Sequence, residues 1–298
     1  MFDLDLLNFE VEKCNLAQHP SIYSTATMQV PSDIGIGVRR KDTKQMLGIV
    51  SDKYEIVQYA DIAEQVGESI TKSGIDLTDV ITQTILSEDS TKLELTAIFP
   101  AHARSIDGNG DAITPKFKFR TSQNKSWANN GMMGHHKWDC YNTLVDGNKL
   151  AWIYGRHTKN FSIPAFAAKI GAAAEYISGD GFKKMEKWYT TTVSRDDTIN
   201  LFSKTLAKRT DNVSRNNKPN KVMLSNLMKT FDEENRHILG RGLYEKYGTR
   251  DEGTLWTAYQ AATAWSTHVN NMNVKPLREA KVVKMLASSE WERLELAA

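Results

Sequence analysis

The sequence predicts an α+β protein: an antiparallel, sheet-rich N-terminal part in the order β-β-α-β-β-β, followed by a helical C-terminal part. Three observations predict it. Apolar and polar residues alternate with a period of two in several runs between Ile34 and Ser122. A single stretch with helical spacing, from Tyr59 to Gly74, interrupts those runs. After Pro164 the alternation gives way to alanine-rich and amphipathic segments. The division expected is 1–162 for the β-rich core and 163–298 for the helical region, with a polar linker near 210–221, or the two parts integrated into one domain.

The elements follow in order. "IGIGVRR" and "MLGIVSDKYEIVQ" are β-prone runs joined by the polar turn "KDTKQ", which reads as a hairpin. "YADIAEQVGESITKSG" sets Ile62, Ala63, Val66 and Ile70 on one helical stripe, with Gly74 placed to end the helix. "DVITQTILSEDSTKLELTAIFP" reads as a second hairpin, turning at Ser87 to Thr91, with Leu93, Leu95 and Ala97 on one face. "SIDGNGDA" is a loop by composition, "ITPKFKFRTS" resumes a strand, and more strand is expected around "LAWIYGRHT". "SIPAFAAKIGAAAEYISGDG" starts like a helix at Ser-Ile-Pro and stops at glycine. "FKKMEKWYTTTVSRDDTINLFSKTLAKR" continues helically in two parts. "KVMLSNLMKTFDEENRHIL" and "TLWTAYQAATAWSTHVNN" are further amphipathic helices, with the proline-broken "TDNVSRNNKPNK" ahead of them.

Composition narrows the class. Hydrophobic residues at 40% and charged residues at 25% suit a globular protein with a sizeable core. No run of eighteen apolar residues occurs, so no membrane span is expected. The acidic, amphipathic start MFDLDLLNFEVEKC is unlike a signal peptide, and the two distant cysteines, Cys14 and Cys140, form neither a disulfide framework nor a paired zinc motif. The expected location is the cytoplasm. The charge is divided: Met1 to Ala112 carries 9 basic and 18 acidic residues, and the rest of the chain 29 and 18. Such a split is a hint of a polyanion-binding face.

The stretch from Lys116 to Asn160 concentrates the chemistry. It holds Lys116, Lys118, Arg120, Lys125, Lys137, Lys149, Arg156 and Lys159 against Asp139 and Asp146. Aromatic residues interleave with these cations, and single-strand binders need both ingredients: cations for phosphates and rings for bases. Strand alternation puts Lys116, Lys118 and Arg120 on one face, toward water or phosphate, and Phe117 and Phe119 on the core face. Trp127, in a polar loop with Lys125, is the expected stacking ring. A second basic stretch runs from Lys183 to Lys221. His135, His136, Asp139 and Cys140 are competent metal ligands, but neither a helical His-x-x-x-His nor a Cys-x-x-Cys pair frames them; the alternative is histidines exposed on a loop. No nucleophile elbow, phosphate-binding loop or dinucleotide fingerprint is present. No cofactor is expected.

Four segments carry a resemblance. "LGIVSDKYEIVQYADI", "DCYNTLV", "GRHTKNFSIPAFAAKI" and "GTLWTAYQAATAWSTHV" resemble the phage/plasmid-like proteins grouped under domain of unknown function 932. The pattern falls on Val50, Tyr54 and Val57; on Cys140, Asn142, Thr143 and Leu144; on His157 and Thr158; and on Tyr259, Ala261 or Ala262, and Thr263. The resemblance runs from about residue 45 to 270 and implies a phage, prophage or plasmid origin, with no reaction and no catalytic residue assigned. The element order is also similar, at the level of topology alone, to the ring-forming single-strand annealing proteins that phages often encode.

The function expected is binding of single-stranded DNA without catalysis, as an annealing or recombination accessory, through Lys116, Lys118, Arg120, Lys125, Trp127, Lys137, Arg156 and Lys159. Assembly as a homo-oligomeric ring or filament in the host cytoplasm goes with it. The alternative is a phage protein that engages a host or virion protein through its acidic first third, where Asp61, Glu64 and Glu68 share a helix face. A divalent-metal nuclease built on His135, His136 and Asp139 stands third.

Overall fold

A computed structural model of the chain describes residues 1–16, 35–106, 112–137, 142–145, 152–155, 157, 169–170, 172–173, 175–207, 220–238, 251–269 and 271–297. The fold class is α+β, as the sequence predicts: antiparallel strands fill the N-terminal half and helices the C-terminal part. The chain divides into two compact units. The first comprises Met1–Ala101, Lys116–Met133 and Trp152–Glu175, and the second His102–Pro115, Gly134–Ala151 and Tyr176–Ala298.

In the first unit, β1 (Val11–Cys14), β2 (Ile36–Arg40) and β3 (Met46–Val50) form a three-stranded antiparallel sheet. Together they bury Val11, Val38, Leu47 and Val50 with Tyr54, and a register shift between Val38 and Arg39 interrupts strict alternation. Helix α1 (Tyr59–Lys72) follows; it buries Tyr59, Ile62, Ala63, Val66 and Ile70. Gly74 has φ +77°, so it takes the left-handed conformation that stops a helix. A larger antiparallel sheet has the order β10-β8-β7-β5-β4, with β4 Ile81–Leu86, β5 Lys92–Ile98, β7 Ala112–Ser122, β8 Asn129–Lys137 and β10 Trp152–Gly155. Leu93, Leu95 and Ala97 of β5 and Phe117 and Phe119 of β7 are buried on its apolar face. The Tyr59 hydroxyl ties α1 to the β4–β5 turn by donating to the Thr91 carbonyl at 2.7 Å.

In the second unit, β6 (Arg104–Ser105) pairs with the start of β7, and β9 (Asn142–Val145) pairs with the end of β8. A π-helical turn at Ile177–Gly181 runs directly into α2 (Phe182–Thr190), so the glycines expected to end a helix there continue it instead. Helices α3 (Arg195–Lys204), α4 (Lys221–Ile238), α5 (Leu255–Thr267), α6 (Val274–Leu286) and α7 (Ser289–Leu296) complete the unit, with β11 (Thr192–Ser194) and β12 (Glu252–Thr254) paired between them. Helix α5 is apolar or small on nearly every side and is buried accordingly. Its start is fixed by Thr254 and Thr257, each of whose side chains bonds the other's backbone N–H. Trp188 packs on Tyr259 and Trp291, with ring centroids 4.9 and 5.1 Å away. Among the described residues no helix is long and apolar enough to cross a membrane. Most of the polar linker expected near 210–221 lies outside the described residues.

Candidate functional site

The basic row begins with the pairing of β5 and β7. Antiparallel register sets Glu94 opposite Arg120, Thr96 opposite Lys118 and Ile98 opposite Lys116. Alternation sends Phe117 and Phe119 to the core, as expected, and the three cations to the other face. That face is not open to water. Lys118 is 2% exposed, Arg120 8% and Glu94 6%, and Lys116 is half-buried. The Arg120 guanidinium donates through Nε to Glu94 Oε2 at 2.6 Å, and Lys118 Nζ lies 4.0 Å from Glu94 Oε1. The expectation of a solvent-facing phosphate-tracking row is therefore corrected at Lys118 and Arg120. The physical reason is the neighbouring strand, whose Glu94 meets both cations and allows their burial.

Trp127 differs from expectation too: it is half-buried rather than a loop ring set in water. Ser122 at the end of β7 pins it, accepting from Trp127 N at 2.9 Å and donating to its carbonyl at 3.0 Å. Lys92 Nζ lies 5.9 Å and Arg120 Cζ 5.7 Å from the indole centroid, both within cation–π range. Lys125, at the tip of the β7–β8 connection, is exposed and holds φ +63°. Gly48 of β3 supports this connection from below: a Cβ there would lie 2.8 Å from Asn124 Cα.

Beneath the same hairpin lies His157, which shares in no helix or strand. Its Nε2 donates to the Trp127 carbonyl at 3.2 Å and lies 3.4 Å from Thr121 Oγ1. That bond leaves Nδ1 as the unprotonated nitrogen, and burial pushes the ring below the ordinary histidine pKa, so it is neutral near pH 7. Thr121 in turn donates to Asn129 Oδ1 at 2.7 Å, and Gln123 Nε2 donates to the Val57 carbonyl at 2.7 Å. The Tyr54 hydroxyl donates to the Ser122 carbonyl at 2.7 Å, and burial raises its phenol well above the usual tyrosine range. Polar side chains thus fix the base of the hairpin, and the hairpin fixes Trp127 and Lys125.

The remaining candidates separate. Lys137, at the end of β8 in the second unit, is buried, with Nζ 3.6 Å from Glu234 Oε2 on α4. His135 and His136 are both buried, 1% and 4% exposed. The expectation of solvent-exposed loop histidines is thereby corrected: β8 is an inner strand, bounded by β7 on one side and by β9 and β10 on the other. His135 Nε2 donates to the Ile177 carbonyl at 3.2 Å, and burial, aided by the charge of Arg104, lowers its pKa to about 4. Asp139, Cys140, Arg156 and Lys159 lie outside the described residues. Among the described residues no group of three His, Cys, Asp or Glu side chains is placed to hold a metal ion.

Sequence reasoning missed Glu94, Lys92 and the pairing of Tyr54 with His157. A signal for Glu94 existed: it is the one carboxylate inside the apolar run "LELTAIF", two residues from Lys92 and on the same face.

A family model described as Domain of unknown function (DUF932) matches residues 46–291. No curated protein and no solved structure matches the chain.

Proposed function

The chain belongs to the DUF932 family, and on that premise we propose that it binds single-stranded DNA without acting on it chemically, as a phage- or plasmid-encoded annealing or recombination accessory. The observation that carries the reading is the end of the β7–β8 hairpin. An exposed lysine, Lys125, stands two residues from a partly open indole, which the buried Lys92 and Arg120 hold from behind. A ring for a base and cations for phosphate are the two components of sequence-tolerant single-strand binding. Lys118, Arg120 and Lys137, being buried and ion-paired, support the scaffold in this reading; Trp127 and Lys125 meet the strand. Assembly into a ring or filament in the host cytoplasm belongs to the same proposal.

Titration of a fluorescent oligothymidylate at several salt concentrations tests it. Binding that weakens linearly in log–log form with salt supports the reading, and absence of binding at low salt sinks it. Incubation of labelled single strands with Mg²⁺ or Mn²⁺ checks the non-enzymatic part, which cleavage would refute.

A second reading has its own observation. Asp61, Glu64 and Glu68 of α1 are all exposed along one face, next to a buried apolar stripe. That acidic face fits a basic protein partner of the host or virion. A direct complex that survives nuclease, in a protein that binds no oligonucleotide, would favour it.

A further inference from the structure

We infer that the groove between α3 and α4 in the second unit is a separate binding site for the sugar–phosphate chain of single-stranded nucleic acid. The inference rests on the single-strand reading above but places contacts on residues not among its candidates, apart from Lys221 at the end of the second basic stretch. The groove encloses about 510 Å³ and is lined by Arg195 and Ile199 of α3 and by Lys221, Leu224, Met228, Lys229, Asp232 and Arg236 of α4, among others. Its rim is cationic and its floor apolar. Lys221, Lys229 and Arg236 are exposed, whereas Met228 is buried and Ile199 and Leu224 are half-buried.

The charges do not cancel. Among the described residues Asp232 is the one carboxylate in the lining, and Arg195 already meets it, with Nη2–Oδ2 at 2.9 Å and Nε–Oδ1 at 3.3 Å. Arg236 Nε donates to the Asp232 main-chain carbonyl at 3.3 Å, which holds its base while leaving its charge uncompensated by a carboxylate. Lys229 lies 3.8 Å from Glu233, but both are more than half exposed or close to it, and water screens such a pair to near nothing. Over the described lining residues, four cations against Asp232 leave a surplus of three positive charges, with Asp196 and Asp251 acting on Arg195 from beside the groove.

Spacing selects the ligand. Lys221, Ser225, Lys229, Asp232 and Arg236 recur at four, four, three and four residues, one continuous stripe on α4. At about 1.5 Å of rise per residue, Lys221 and Arg236 stand roughly 22 Å apart along the axis, too far for one phosphate to reach both. A chain with repeated phosphates meets all three. The floor of Leu224, Met228 and Ile199 then discriminates among polyanions, because it gives apolar surface to bases and nothing to an acidic side chain. Flexible Met228 adapts to different bases, so no sequence preference is expected from this site.

The experiment compares the wild type with the triple variant Lys221→Gln, Lys229→Gln, Arg236→Gln, using fluorescent oligothymidylate, with thermal melting as the folding control. All three positions are exposed, so the melting temperature is expected to hold. Binding at low salt should weaken at least tenfold, and the slope of log K against log salt should flatten by about 2, at roughly 0.7 per phosphate contact. In the wild type, unlabelled oligothymidylate should displace the probe, while polyglutamate of equal charge and orthophosphate should not. Unchanged affinity and slope in a folded triple variant overturn the groove and leave the single-strand reading standing on Trp127 and Lys125. Displacement by polyglutamate as good as by oligothymidylate overturns the assignment to nucleic acid. A wild type that binds no oligonucleotide at low salt defeats both.

Discussion

The imidazole of His157 stacks on the phenol ring of Tyr54, with centroids 4.9 Å apart and planes inclined by 18°. The two residues come from distant parts of the first unit's sequence, and the contact is reinforced by the Glu55 N–H, which donates to the His157 carbonyl at 3.3 Å. One ring anchors Ser122 and the other the Trp127 carbonyl, so the stack clamps both ends of the segment that carries Lys125. His157→Phe keeps the stack and loses the donor; because Ser122 Oγ still serves the Trp127 carbonyl, the cost should be about 1 kcal/mol. His157→Ala loses the stack as well, which adds roughly 0.5–1.5 kcal/mol. Urea unfolding should rank wild type above Phe above Ala, and equal stability of the two variants would contradict the stack.

Glu94 and Arg120 form the second relationship to test. Arg120→Ala deletes a buried charge-assisted bond of 2.6 Å, worth about 1.5–3 kcal/mol, while Lys118 stays 4.0 Å from Glu94. Arg120→Ala should therefore destabilise strongly, while Lys125→Ala on the exposed tip should change stability by no more than about 0.5 kcal/mol. Their effects on oligonucleotide binding then separate: Lys125→Ala should weaken binding in a protein of wild-type stability, and Arg120→Ala should act through the fold.

Trp127→Ala should weaken binding of single strands by about 1–3 kcal/mol with no change in salt slope, because stacking releases no counterions. If the slope falls as well, the substitution has also moved the exposed Lys125, and a phosphate contact is lost beside the stacking.

What the sequence revealed, and what it hid, follows from how local each signal is. The β4–β5 hairpin, α1 with its glycine stop, and the buried Leu93, Leu95, Phe117 and Phe119 rest on periodicity within a few residues and stand where it puts them, whereas the run expected as strand from Met46 to Gln58 is strand only to Val50. The burial of Lys118 and Arg120 is not legible locally, because period two identifies a face but not what covers it. Only the β5–β7 register, a non-local fact, brings Glu94 opposite Arg120. Strand β8 was hidden for a related reason: "ANNGMMGHHK" is rich in Asn, Gly and His, residues with weak strand preference, and it is held by neighbours on both sides. The cations of α4 beyond Lys221 escaped the sequence reading, although Lys221, Lys229 and Arg236 share a helical face, and the groove itself depends on α3 packing beside it.

Gly48 tests whether the hairpin end needs its exact seat. A Cβ at this position would lie 2.8 Å from Asn124 Cα and 2.9 Å from Asn124 Cβ, closer than such atoms approach. Gly48→Ala must push the Asn124–Lys125 turn outward, at about 1–3 kcal/mol for overpacking. Binding of oligothymidylate should weaken along with stability. A variant with unchanged melting and unchanged binding would show that β3 does not support the turn.

The buried histidines predict a pH dependence whose sign is fixed. His135 has a folded pKa of about 4 against 6.5 for the free side chain, because burial and the Arg104 charge both oppose its protonation. Between those values the unfolded chain binds a proton that the folded one refuses, so stability rises with pH through this window. The contribution is complete above pH 6.5, declines as pH falls toward 4, and is constant below. At about 1.4 kcal/mol per unit the loss from His135 approaches about 3 kcal/mol, and His157, shifted in the same direction, deepens it. Carboxylates held low by their partners, such as Asp197 beside Arg293, also lose stability on acidification, so the wild-type curve alone does not isolate the histidine. His135→Gln does: its amide N–H can still donate to the Ile177 carbonyl, and it cannot titrate. Urea midpoints of the two proteins should converge as pH falls from 7 to 4.5. Parallel curves over that range would mean that His135 is protonated as readily folded as unfolded, and would overturn the shift.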